Sequence, residues 1–119
     1  DFNYATRLYQ EIIKQDPDFL PAYNNLGSIF VRMGLYTPAE KIFRDLIQMA
    51  PEFTRGYLGL AMTLDKADKK REALQYYLRI LDMKPNNRNS AFIEKRIIAL
   101  KKEMGHVKTR QNTTLVRIK

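Results

Sequence analysis

The sequence holds one imidazole, His106, and no cysteine. A single histidine at the far carboxyl end can neither pair with a second imidazole on a metal nor complete a Ser/His/Asp set. Without thiols, disulfides, thiol nucleophiles, Fe–S clusters and Cys-type zinc sites are excluded. The carboxylates are scattered, and the five glycines form no loop of the kind that cradles a phosphate. These residues point away from an enzyme and from any metal or organic cofactor. What remains is charge. The chain carries 21 Lys and Arg against 13 Asp and Glu, a net +8. Residues 1–87 hold 12 basic and 11 acidic side chains, whereas residues 88–119 hold 9 basic and 2 acidic. The surplus belongs to the carboxyl end, where residues 106–119 have four basic side chains and no acid. A basic end of this kind suits anionic partners: acidic peptides, nucleic acid or lipid headgroups.

The elements that must position these residues are helical and repetitive. At 119 residues, 45% apolar and 29% charged, the composition is that of one soluble globular domain. No apolar run approaches the roughly 20 residues of a membrane-spanning helix, and the first residues lack the order of a secretory signal. A soluble, cytoplasmic protein is therefore expected. Pro17, Pro51 and Pro85 are spaced by 34 residues, and alignment on them brings Tyr23 onto Tyr57, Leu26 onto Leu60, Gly27 onto Ala61 and Phe30 onto Leu64. Ala5, Ala39 and Ala73 also align, as do Tyr9, Phe43 and Tyr77, and then Ile12, Leu46 and Ile80. A fixed period of this length marks a stacked repeat.

Each unit divides into two helices by its own punctuation. Pro21 suits a first helical turn, Tyr23, Leu26, Gly27 and Phe30 recur along one helical face, and Gly34 suits a left-handed helix end. Thr37-Pro38-Ala39-Glu40 reads as a capping box opening the second helix. Ala39, Ile42, Phe43, Leu46 and Ile47 form that helix's apolar stripe. The small residues Gly27, Ala61, Ala39 and Ala73 allow close backbone approach around the aromatics Phe43 and Tyr77. A hairpin of this kind cannot bury its stripe alone, so units must stack.

This pattern resembles the tetratricopeptide repeat (TPR) family, whose signature is matched at Tyr23, Leu26-Gly27, Phe30, Ala39, Phe43 and Pro51. It is matched again at Tyr57, Leu60-Ala61, Leu64, Ala73, Tyr77 and Pro85. Leu46 departs from it by replacing a small residue, and Asp68 by replacing a turn glycine. The resemblance implies an all-α fold, a right-handed α-solenoid of antiparallel helix pairs with about six helices plus a basic carboxyl-terminal tail. The expected divisions are a repeat domain over 1–105 and a tail over 106–119. Within the domain, 1–19 is the second helix of an incomplete unit, 20–53 and 54–87 are repeats, and 88–105 is a capping helix ended by Gly105. In that cap, Ala91, Phe92, Ile97, Ile98 and Leu100 are expected to form the apolar stripe.

The resemblance further implies a concave groove lined by the first helix of each unit. Carried over by position, its lining is Asn24, Asn25, Ser28 and Arg32, then Arg55, Leu58, Met62, Asp65 and Lys66, then Asn89, Phe92 and Arg96. The Asn25 amide can donate to and accept from a peptide backbone, and Arg32, Arg55, Lys66 and Arg96 suit carboxylates. Of the five clamp positions by which chaperone-binding TPR proteins hold a terminal carboxylate, Asn25 and Arg55 match two, and Gly59 stands where the last Arg would be. Leu58 and Met62, at helical spacing, suit packing against the next helix better than gripping a ligand. The leading expectation is a protein–protein interaction scaffold binding a partner peptide or helix in this groove, with a preference for acidic character. An alternative is self-association to a homo-oligomer through Tyr4, Leu8, Tyr9 and Ile12. Those residues would be left apolar by the absence of a preceding first helix, as in a piece of a longer array. A third reading has the tail 106–119 contacting nucleic acid, although it lacks aromatics for base stacking.

Overall fold

A computed structural model describes the backbone of residues 1–118 and the side chains of residues 1–105. Six helices follow one another: α1 (Phe2–Gln15), α2 (Leu20–Arg32), α3 (Tyr36–Met49), α4 (Thr54–Lys66), α5 (Lys70–Met83) and α6 (Ser90–Ile118), with no strand among the described residues. Each helix packs on the next, and α2 also packs on α4. This is the stacked-hairpin architecture implied by the period of 34.

The period has a hydrogen-bonding origin as well as a packing one. The Tyr23 hydroxyl donates to the Pro17 carbonyl at 2.7 Å, and 34 residues on Tyr57 donates to the Pro51 carbonyl at 2.8 Å. Each repeat is thereby pinned to the turn that precedes it. Pro85 has no such tyrosine, and its carbonyl accepts instead from Ser90 Oγ at 2.9 Å. The interhelix turns also match. Gly34 (φ +76°) and Asp68 (φ +65°) both take the left-handed conformation, and in each turn the following amide donates to the carbonyl five residues before it, Leu35 to Phe30 and Lys69 to Leu64, both at 2.8 Å. A short polar side chain tolerates this conformation better than most, so Asp68 substitutes for glycine without changing the turn.

The core runs through the stack as one cluster, from Tyr23, Phe43 and Leu46 through Leu60, Leu64 and Tyr77 to Ile93, Ile97 and Leu100. Phe43 is its wedge. A Cβ placed at Gly27 would meet the ring at 2.5 Å, and one at Gly59 would overlap it as well. Because Phe43 is buried in the core it cannot swing aside, so both glycines are required for α2 and α4 to close on the ring.

Three expectations are corrected. The segment 37–40 is not a capping box: α3 starts at Tyr36 with Leu35 as its N-cap and no side-chain cap bond. Glu40 instead accepts from Arg44 (2.9 Å) and Lys69 (3.1 Å), two cations that outcompete a backbone amide. Gly105 does not end the last helix, which continues to Ile118. The cap's inward stripe is Ile93, Ile97 and Leu100, while Ala91, Phe92 and Ile98 are exposed. Ile97 and Leu100 belong to the expected stripe, and contact with α5 completes their i, i+4, i+7 row with Ile93 in place of Phe92.

Candidate functional site

The first helices of successive units, α2, α4 and α6, do not meet uniformly. Around Phe43 the α2–α4 seam is closed. Thirty-four residues beyond Gly59, α6 carries Ile93 in place of glycine, and this side chain is fully buried in the core cluster that also holds Tyr77. The α4 and α6 backbones consequently stand apart, with α5 forming the floor between them. Two clefts open along this seam.

The first cleft, about 210 Å³, is lined by Thr54, Arg55 and Leu58 of α4, Ile80 and Lys84 of α5 and its end, Asn87, Arg88 and Asn89 of the following turn, and Ile93. No carboxylate lines it, and among the described residues Arg55, Lys84 and Arg88 have no ion-pair partner. The turn is held rigid by its own asparagine. The Asn87 side chain accepts from the Asn89 amide at 2.8 Å and donates to the Lys84 carbonyl at 2.7 Å, and the Asn87 amide donates to Ser90 Oγ at 2.8 Å.

The second cleft, about 400 Å³, is lined by Met62, Asp65 and Lys66 of α4, Lys70 and Tyr77 of α5, and Phe92 and Arg96 of α6. Asp65 dominates it. Its carboxylate accepts both Nε and Nη2 of Arg96 at 2.9 Å, Lys70 Nζ at 2.7 Å and the Tyr77 hydroxyl at 3.2 Å. Burial alone would raise the Asp65 pKa, but the hydrogen bonds from Lys70 and Arg96 outweigh it and hold the carboxyl below its ordinary value. Burial and the neighbouring carboxylate push the Tyr77 hydroxyl well above its ordinary value. Phe92 meets the Tyr77 ring edge-on at 6.3 Å.

The expected groove residues are thus divided. Arg55, Leu58 and Asn89 come together in the first cleft, and Met62, Asp65, Lys66, Phe92 and Arg96 in the second. Asn24, Asn25, Ser28 and Arg32 line neither. Ser28 Oγ donates to the Asn24 carbonyl at 3.0 Å, and the Arg32 guanidinium lies 5.1 Å over the Phe2 ring on α1. The two-residue match to a carboxylate clamp is not extended at position 59, because a side chain there has no room beside Phe43. Lys84, Asn87 and Arg88 were missed by position-matching, since they lie between helices; their closeness in sequence to Asn89 was the available signal. No three His, Cys, Asp or Glu side chains among the described residues could hold a metal ion, and none of the described helices is long and apolar enough to cross a membrane.

At the other end of the stack, Tyr4, Leu8 and Ile12 share an exposed row on α1 (58%, 47% and 38% exposed), whereas Tyr9 is half-buried. Beside that row, an apolar cleft of about 430 Å³ lies between α1 and α3, with Ile13, Tyr23, Leu26, Phe30 and Ile42 in its walls. The nucleic-acid expectation rests on the side chains of 106–119, outside the described residues.

The family description "Tetratricopeptide repeat" matches residues 20–53 and 54–87. The Small glutamine-rich tetratricopeptide repeat-containing protein 2 of Saccharomyces cerevisiae is 30% identical over 91 residues, covering 76% of this chain and 26% of its own length. The Caenorhabditis elegans Tetratricopeptide repeat-containing protein trd-1 is 25% identical over 97 residues, covering 79% of this chain and 12% of its own. The chain therefore spans about a quarter or less of these relatives. Among solved structures, the first TPR of Spaghetti (RPAP3) bound to the HSP90 peptide SRMEEVD superposes with a TM-score of 0.79 at 19% identity, covering 87% of this chain and 82% of that one. The TPR2B-domain:pHsp70 complex of yeast Sti1 gives 0.79 at 19%, covering 87% and 85%. These likenesses establish the fold.

Proposed function

Because the chain belongs to the tetratricopeptide-repeat family, we propose that it is a protein-interaction scaffold that takes a segment of a partner protein along the seam between α4 and α6. The observation that carries this reading is the pair of clefts over α5, which gather eight of the groove residues expected from position alone. Leu58, Met62 and Phe92 offer apolar contact, Asn89 offers an amide, and Arg55 and Lys66 offer charge free of internal ion pairs. The HSP90 and Hsp70 peptide complexes formed by two proteins of the same fold support a peptide as the occupant, and the acidic character of SRMEEVD agrees with the basic lining. The test is selection from a random octapeptide library followed by titration of the isotope-labelled chain with a selected peptide. Amide shifts should move along Arg55–Lys66 and Asn89–Arg96 and be lost in Phe92→Glu. Shifts confined to α1 or α3 would overturn the reading.

A second reading, self-association through α1, is favoured by the exposed row of Tyr4, Leu8 and Ile12, since such rows mark interaction surfaces. Light scattering should then show a mass that rises with concentration and falls to that of the monomer in Leu8→Glu. A monomeric mass at every concentration would remove it.

A further inference from the structure

The two clefts differ in the state of their cations. In the second, Arg96 and Lys70 are engaged by Asp65. In the first, Arg55, Lys84 and Arg88 converge with no carboxylate among the lining residues and no ion pair among the described ones. Three like charges around a cleft of about 210 Å³ repel one another, and an anion bound among them relieves that repulsion beyond what solvent screening does. The size suits one small anionic group. The charge favours a dianion over a carboxylate, and two of the three cations are arginines, whose planar forks match phosphate oxygens in pairs. The turn carrying Arg88 is fixed by the Asn87 hydrogen bonds to Lys84, Asn89 and Ser90, and it leads directly into α6, whose amino end adds a favourable dipole for an anion.

We infer that the cleft formed by Arg55, Lys84 and Arg88 is a subsite for a phosphorylated serine or threonine of the partner segment. The inference rests on the peptide-binding reading of the same seam and deepens it. The phosphate sits among the three cations, and the neighbouring cleft takes an apolar side chain against Met62 and Phe92. Arg55 and Met62 are seven residues apart on one helix, about 10 Å, which an extended peptide covers in about three residues.

The experiment is a synthetic array of octapeptides, randomised at the flanks and fixed at the centre as phosphoserine, glutamate or serine. It is probed with the whole chain and with the Lys84→Gln/Arg88→Gln variant. Both substituted residues are exposed and lack ion pairs among the described residues, so the variant should keep the parent's circular dichroism spectrum and melting temperature. The expected result is retention in the order phosphoserine, glutamate, serine, with about a tenfold preference for phosphoserine over serine that the variant abolishes. Glutamate equal to or above phosphoserine, or a preference unchanged in the variant, would overturn the subsite. Retention governed by apolar flanks with no preference at the centre would overturn it while the groove reading stands. Retention of no peptide removes both. A duplex oligonucleotide bound more tightly than every phosphopeptide, and lost in the same variant, would overturn it in favour of a nucleic-acid contact.

Discussion

The α2–α4 and α4–α6 seams are built by the same repeat, one unit apart, yet one is shut and the other open. In the shut seam the aromatic wedge Phe43 has glycine on both sides, Gly27 and Gly59. At the corresponding places around Tyr77 stand Ala61 and Ile93, both fully buried. A methyl group and a branched side chain in place of two hydrogens hold the helices apart, and the space becomes a pair of clefts. The difference teaches that groove residues on a repeat become available by what lies beneath them. Asn24 and Asn25 have suitable chemistry but sit on the closed seam, whereas Arg55 and Met62 sit on the open one.

The comparison can be broken most forcefully at Ile93. Ile93→Ala removes the spacer and leaves a cavity, which should cost about 3 kcal/mol of stability, read as a lower midpoint in urea unfolding; an unchanged midpoint would show that Ile93 does not hold the seam. Asp65→Ala should come next. It leaves Arg96 and Lys70 unpaired and the Tyr77 hydroxyl without its acceptor, but both cations are about a third exposed (30% and 32%). The loss expected for a buried pair is therefore reduced to about 2 kcal/mol. The same substitution should make the second cleft cationic like the first, visible as stronger binding of an acidic peptide at low salt. Gly59→Ala probes the closed seam. Overpacking against Phe43 outweighs the helix-propensity gain, for a net loss of about 1 kcal/mol, while a gain in melting temperature would mean that the ring yields.

Acid should separate the regions more gently. The Asp65 carboxyl titrates below its ordinary value in the folded chain, so its stabilising contribution is present above the unfolded-state pKa, about 4, and is lost as the pH falls through the folded value. Asp65→Asn should accordingly flatten the acid limb of a melting-temperature profile, and an unchanged limb would show that the pair contributes nothing. The smallest effect belongs to the first cleft. Lys84→Gln or Arg88→Gln should change stability by less than about 0.5 kcal/mol, so any binding lost is read without interference from folding.

Much of this molecule was legible in its residues. The spacing of Pro17, Pro51 and Pro85 announces the helix pairs, and at Pro17 and Pro51 a matched tyrosine makes the same local contact. Gly34 announced its turn because only the left-handed conformation closes it. The start of α3 differs from the capping box that residues 37–40 suggest, because Glu40 has partners, Arg44 and Lys69, that a local capping rule does not contain. Arg96 reads from the sequence as a groove cation suited to a partner's carboxylate, whereas its carboxylate is Asp65 of this chain, 31 residues away.

The sequence by itself determined the helix pairs, their period and the identity of the wedge residues. These depend on spacing within about 34 positions and on side-chain size, both of which are written along the chain. Which seam opens, which cations stay unpaired and which helix face turns inward were decided only in the tertiary structure. Those properties arise from pairs of residues on different helices, and a buried side chain or a counter-ion acts through space rather than through sequence distance.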